Sequence, residues 1–237
     1  MFLSIDYLLY MIPAFILMVL TSWYVKSTYK RWSRVSARSG LTGYQAAQRL
    51  IAHGGLYNVQ IQGVSGNLTD NYDPRTNVLR LSRGVAEVPS VASLAITAHE
   101  LGHAMQDKED YLPLRFRSFL VPLVNIGSNM GWILIMIGLF LYYSGLVFGV
   151  DIAWLGVVAF AGGAFFALVT LPVELNASRR ARELLVDTGI IQGEDEQRGV
   201  NQVLNAAALT YVAGLATAVL QLLYFISLVG GFGRRRN

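Results

Sequence analysis

Residues 99–103 read His99-Glu100-Leu101-Gly102-His103. Two histidines four apart on a helix stand one turn apart on the same face. Both imidazoles can then reach a single ion at about 2.0–2.1 Å. Zinc suits neutral imidazole, and a zinc site with an open position activates water. Glu100 follows the first histidine, so it stands beside the ion rather than on it. There it is placed to take a proton from that water and return it to a leaving amine. The chemistry expected is hydrolysis, with one zinc ion per chain. The chain has no cysteine, which excludes a Cys-ligated zinc, an iron–sulfur cluster, a disulfide scaffold and a thiol nucleophile.

Two histidines leave a catalytic zinc one protein ligand short. The chain's third histidine, His53, sits before Gly54-Gly55 at a helix end, so a carboxylate is the expected third ligand. Glu174 leads the candidates because it closes a run of 22 uncharged residues that begins after Asp151. A lone carboxylate at the end of such a run needs a partner, and a metal is one. Glu183 and Asp187 are the alternatives, further along a charged helix. Without a metal, Glu174 reads as an interfacial glutamate paired with Arg179 or Arg180. Stabilising a developing oxyanion needs a further donor. Tyr211 and His53 are the candidates, against plainer readings as a membrane-belt tyrosine and a helix-end histidine.

The motif needs a helix to carry it. Ser90, preceded by Pro89, caps one that runs to about Gln106, with Val91, Leu94, Ala95, Ala98, Leu101 and Met105 as its apolar stripe. Upstream, Thr42 and Gln45 form a capping box for a helix over about 43–53, stopped by Gly54-Gly55. Val59–Ile61, Leu68–Tyr72 and Val78–Leu81 read as short strands, the last two joined by a turn over Asp73–Asn77 in which Pro74 fixes φ. Residues 36–118 therefore read as a small α+β unit. Thr97, Glu100, Gln106 and Asp107 make the motif helix too polar for lipid, which puts the site at a membrane face rather than within the bilayer.

The membrane itself is legible in the charges. Hydrophobic residues make up 54% of the 237 and charged residues 14%, against about 25% charged in soluble domains. Uncharged runs of 19, 33, 22 and 35 residues separate Asp6 from Lys26, Arg117 from Asp151, Asp151 from Glu174, and Arg198 from Arg234. About 20 apolar residues cross a bilayer, so four spans are expected, near 3–25, within 119–149, and near 152–173 and 203–230. The first reads as an uncleaved anchor, with no basic leader before it and Trp23-Tyr24 at the interface. Twelve Lys and Arg lie between Lys26 and Arg117 and none around Asp151, so residues 26–118 and 175–200 are expected in the cytoplasm. The net charge of +4 is membrane-flanking, and no nucleic-acid partner is expected. Arg234, Arg235 and Arg236 conflict with this scheme if 203–230 is one span. A re-entrant hairpin bent near Gly214 would remove the conflict.

The motif, two spans, and then Pro172-Val173-Glu174-Leu175-Asn176-Ala177-Ser178-Arg179-Arg180-Ala181 resemble the YugP-type bacterial membrane neutral zinc metallopeptidases. Leu68–Arg75 and Ala206–Val212 resemble them too, so the likeness covers nearly the whole chain. The layout is similar to the HtpX-type and CAAX prenyl endopeptidases, whose zinc glutamate follows two spans. The resemblance implies a multi-pass cell-membrane zinc endopeptidase, gluzincin-like, acting on polypeptide, with His99, His103 and Glu174 as ligands and Glu100 as base. It also implies a residue orienting the first histidine. The aspartate that does this in those enzymes corresponds to Ser178 here, so the role falls to Ser178, to Asn176 or to a residue elsewhere. Such proteases bind substrate as an added strand, and Val78-Leu79-Arg80-Leu81 is the candidate edge. An ordinary structural strand is the other reading.

The expected fold is thus a mainly α integral membrane protein of about four transmembrane helices with a small α+β zincin-like cytoplasmic insert. Its divisions are an anchor at 1–25, the insert at 26–118, a hairpin at 119–174 ending in the third ligand, a cytoplasmic helix at 175–202, and a transmembrane or re-entrant segment with a basic tail at 203–237. A non-catalytic zinc-binding membrane scaffold is the competing reading, and the intact Glu100 argues against it, because a binding role needs no base.

Overall fold

In the computed structural model, residues 5–233 are described. The basic tail Arg234–Arg236 lies outside them. Seven helices and three strands follow in the order α1 (Ile5–Trp32), α2 (Gly43–Gly54), β1 (Gln60–Val64), β2 (Asn71–Asp73), β3 (Val78–Ser82), α3 (Arg83–Ala86), α4 (Val91–Lys108), α5 (Leu112–Tyr143), α6 (Gly149–Asp187) and α7 (Gly193–Gly233). The molecule is mainly helical, and α1, α5, α6 and α7 are each long and apolar enough to cross a membrane.

The chain folds as two compact units. One gathers the described residues up to Leu20, Phe116–Leu171 and those from Tyr211 onward. Glycines set its packing. A Cβ placed on Gly131 would sit 2.8 Å from the Gly156 carbonyl oxygen, and one on Gly156 would sit 2.6 Å from that of Gly131. Only bare backbone allows α5 and α6 to come so close. Ile135, Ala153, Val157, Tyr224 and Phe225 fill the space around that contact.

The other unit is Thr21–Arg115 with Pro172–Thr210. Its elements begin and end where local chemistry dictates. The Thr42 side chain accepts from Gln45 N while the Gln45 amide accepts from Thr42 N, which is the expected capping box. Gly55 then closes α2 at φ +60°, a conformation that costs glycine little. Ser90 Oγ accepts from Ser93 N at 3.1 Å and starts α4. Leu50, Leu79, Leu81, Leu94 and Leu101 are wholly buried in the core beneath these elements.

The sheet runs β1-β3-β2, with β1 parallel and β2 antiparallel to β3. β3 is therefore the middle strand. Val78–Leu81 is bonded on both sides and is not the edge expected for substrate. The free edges belong to β1 and β2. The second strand is also shorter than Leu68–Tyr72. Leu68 lies at φ +56°, outside any strand conformation. Asp70 then spends its carboxylate on the end of β3, where Oδ1 accepts from Ser82 N at 2.6 Å and Oδ2 from the Ser82 hydroxyl at 3.1 Å.

The helices overrun the expected boundaries. α1 continues past residue 25 to Trp32, and α5 begins at Leu112, before the expected end of the insert. Residues 175–202 are not one helix. α6 passes unbroken through Glu174 to Asp187, and a turn with Gly189 at φ +62° and Gly193 at φ +79° precedes α7. The bend considered near Gly214 is absent, since α7 is continuous there.

Candidate metal centre

The centre lies wholly in the unit built from Thr21–Arg115 and Pro172–Thr210. α4 supplies His99 and His103, and α6 supplies Glu174. Gly102 lets the two helices meet, for a Cβ there would sit 2.5 Å from the Ala177 carbonyl oxygen. The glycine inside the motif thus sets the distance from which the carboxylate faces the imidazoles.

His99 Nε2 and His103 Nε2 each lie 3.3 Å from Glu174 Oε2. A charge-assisted hydrogen bond is shorter, about 2.7–2.9 Å. Two atoms bound at 2.0–2.1 Å to one ion at the tetrahedral angle lie about 3.3–3.4 Å apart. The two His–Glu174 spacings fit ligands around a shared ion. The three groups offer ligand atoms all within 4.8 Å of one another. The histidine side chains are 12% exposed and Glu174 2%.

Second contacts fix the ring faces. With Nε2 turned inward, His99 Nδ1 lies 3.2 Å from Ser178 Oγ, a hydroxyl able to accept from it or donate to it. His103 Nδ1–H donates to Gln106 Oε1 at 3.0 Å. Gln106 is wholly buried, and its amide nitrogen donates to the Val173 carbonyl at 2.8 Å and Asn176 Oδ1 at 2.9 Å, so its oxygen must face His103. Arg180 holds Asn176 in turn, with Nε 2.8 Å from Oδ1, and its own Nη2 donates to Glu109 at 2.7 Å. The His103 tautomer is thereby set with its Nε2 lone pair inward, as a metal requires, and the Ser178 hydroxyl can accept from His99 Nδ1–H in the same arrangement.

Glu100 stands next along α4, and its Oε2 accepts from the Tyr72 backbone N–H at 2.9 Å. Desolvation pushes its carboxyl above the ordinary range, opposed by the two imidazoles and the Tyr72 N–H and assisted by Glu174. Burial pulls His103 down, but Glu174 and Glu100 outweigh it and the ring is pushed up. A place that favours positive charge at buried nitrogen, between two imidazoles and a carboxylate, fits a divalent zinc ion.

The sequence reading placed His99, Glu100, His103, Glu174, Ser178 and Asn176 in one site, and the structure brings all six together. Glu183 lies apart, paired with Arg179 at 2.8 Å. His53 is exposed in the last turn of α2, and Tyr211 is half-buried on α7 in the other unit. Two participants were not singled out. Gln106 was read as part of a polar face, yet it is buried three residues after His103. That spacing, on the side of an otherwise apolar helix, was the available signal. Tyr72 contributes a backbone N–H, which no residue type announces.

No solved structure matches this chain. The family described as "Putative neutral zinc metallopeptidase" matches residues 7–230. The "Putative membrane protease YugP" of Bacillus subtilis (strain 168) is 41% identical over 202 residues, covering 85% of this chain and 87% of that protein. Nearly the full length is matched, the metal centre with it, and the chain belongs to the neutral zinc metallopeptidase family.

Proposed function

We propose that this chain is a membrane-embedded, zinc-dependent endopeptidase with a zincin-like catalytic unit. The observation that carries the reading is the pair of 3.3 Å spacings from Glu174 to two imidazoles, each held at Nδ1 by a neighbouring side chain, with a separate carboxylate alongside. His99, His103 and Glu174 hold one zinc ion, which when bound supplies Lewis-acid polarisation of the scissile carbonyl and lowers the pKa of water toward neutrality. Glu100 is the general base. Tyr72 N–H ties down one of its oxygens and leaves the other for the proton of the attacking water. The water oxygen adds to the carbonyl carbon, the C–N bond breaks, and Glu100 returns the proton to the amine nitrogen. Ser178 and Gln106 keep the rings in place throughout.

The Tyr72 N–H turns away from β3 to reach Glu100, so the free edge of β2 borders the base. An extended polypeptide passing that edge lies beside Glu100, and since the Tyr72 N–H stays with the base, main-chain pairing there is left to the Tyr72 carbonyl and imposes little sequence choice. This suits membrane-associated or unfolded segments. Twelve basic residues between Lys26 and Arg117 against none around Asp151 favour a multi-pass cell-membrane protein with its site facing the cytoplasm.

The test uses the full chain in detergent. It should copurify with one zinc ion and cleave unfolded casein, lose cleavage on chelation and regain it with zinc. Zinc-loaded protein that leaves casein intact overturns the peptidase reading. A reporter after Arg83 reading external overturns the orientation.

A further inference from the structure

Two asparagines stand on the outer surface of an apolar span. Asn125 and Asn129 on α5 are both exposed. They follow Arg117, the last charge before the span, by 8 and 12 residues, or about 12 and 18 Å at 1.5 Å per residue. That depth is near the middle of a hydrocarbon core about 30 Å thick. Asn129 Nδ2 donates to the Asn125 backbone oxygen at 2.8 Å. Among the described residues, the Asn125 amide and the Asn129 amide oxygen have no hydrogen-bond partner. Lipid offers them none.

The same stripe carries Ser118, Pro122, Trp132 and Met136. With the asparagines these residues recur at alternating spacings of four and three, which is the seam pattern of a left-handed helix pair. All are exposed except Met136, which is half-buried. The packed side of α5 is elsewhere, where Gly131 and Gly138 meet α6. α5 therefore has one face used within the chain and a second, amide-bearing face that none of the described residues covers.

We propose that this seam pairs with the α5 seam of a second copy of the chain, about a two-fold axis normal to the membrane. Two copies inserted in the same sense present parallel α5 helices, and on such an axis each residue meets its own symmetry mate. An amide both donates and accepts, so an asparagine is complementary to itself. Both buried-depth amides are then satisfied at once, as polar seam residues fix register in paired helices. A partner of unrelated sequence would have to bring matched amides to both levels, whereas a second copy brings them by symmetry. The pairing does not depend on the peptidase reading.

The chain has no cysteine, so single-cysteine variants report cleanly. Ser118→Cys and Met136→Cys, on the seam, should oxidise to a covalent dimer in native membranes. Leu123→Cys and Met130→Cys, exposed on a different side of α5, should not. Energy transfer between donor- and acceptor-labelled full chains in vesicles should show the dimer constant weakened about tenfold in Asn125→Leu/Asn129→Leu, as expected for losing two interhelical amide pairs. Unchanged zinc content in that variant shows that the fold is intact. Equal cross-linking on both sides of α5, or unaltered energy transfer in the double variant, overturns the proposal. So does a covalent product with another membrane protein in place of the dimer.

Discussion

The two units solve the same packing problem in different solvents. The unit of Phe116–Leu171 turns large apolar side chains outward, with Phe140 and Val158 each 70% exposed, and draws its helices together on glycine backbone. In lipid, burying leucine gains nothing, so close contact between small residues does the holding. The unit of Thr21–Arg115 and Pro172–Thr210 buries its leucines against water and, apart from the Ser39 and Thr97 hydroxyls, bonds the polar groups it takes into its interior. Gln106, Ser178 and Glu174 are all buried there, and each has partners at the metal centre. Gly102 is where this watery unit borrows the close-contact device of the membrane unit. In one case a glycine brings helices together to hold them, and in the other to place a ligand.

If that division is right, chemistry should fail on substitutions in one unit alone. The largest effect is expected for Glu100→Gln, which should retain zinc and lose about 10²–10⁴-fold in turnover. Single-turnover cleavage with zinc analysis checks it, and unchanged cleavage removes Glu100 as the base. Glu174→Ala should lower zinc affinity by more than the roughly 10–100-fold that loss of an orienting partner costs, with membrane insertion intact. Competition with a calibrated chelator reads this directly. If Glu174→Ala holds zinc as well as the parent chain while Glu183→Ala does not, the ligand assignment fails.

Below these stand the orienting contacts. Gln106→Leu keeps the bulk but leaves His103 Nδ1–H without an acceptor, and Ser178→Ala removes the hydroxyl that holds His99 Nδ1. Each should cost about 10–100-fold in zinc affinity. Gln106→Leu should cost more, because two acceptors fix that amide while the serine hydroxyl is free to rotate. Equal retention of zinc in both variants means that the rings are held by packing alone.

How much of this was legible follows from the range of each interaction. The capping box at Thr42, the Ser90 cap and the paired histidines are local, and residue type with spacing is enough to read them. Glu174 was legible because its setting is local too, a single carboxylate ending an uncharged run, though its meeting with α4 is not. The strand order was not legible. Nothing within Val78–Leu81 says that β1 and β2 flank it, since parallel pairing to β1 is a long-range event. Gln106 was misread because an amide on a helix looks solvated until Val173 and Asn176, some seventy residues on, supply its partners. Tyr72 was invisible because its contribution is a main-chain donor, placed by the middle of β2 rather than by its ring.

The smallest effect tests the comparison most closely, because it makes the same substitution in both units. A Cβ on Gly102 meets the Ala177 carbonyl, and one on Gly138 meets the backbone of Gly149 and Ala153. Either alanine must push two helices apart, and overpacking of this kind costs about 1–3 kcal/mol. Both variants should therefore unfold at lower temperature. Only Gly102→Ala moves His99 and His103 relative to Glu174, so it alone should weaken zinc binding. In Gly138→Ala the metal centre keeps its geometry, and zinc affinity should match the parent chain while thermal stability drops. Titrating both purified variants with zinc, beside their melting curves, separates the two roles. If Gly138→Ala loses zinc as readily as Gly102→Ala, helix spacing in the membrane unit is transmitted to the ligands. The close contact at Gly102 would then be one part of a coupled stack rather than the element that sets the site.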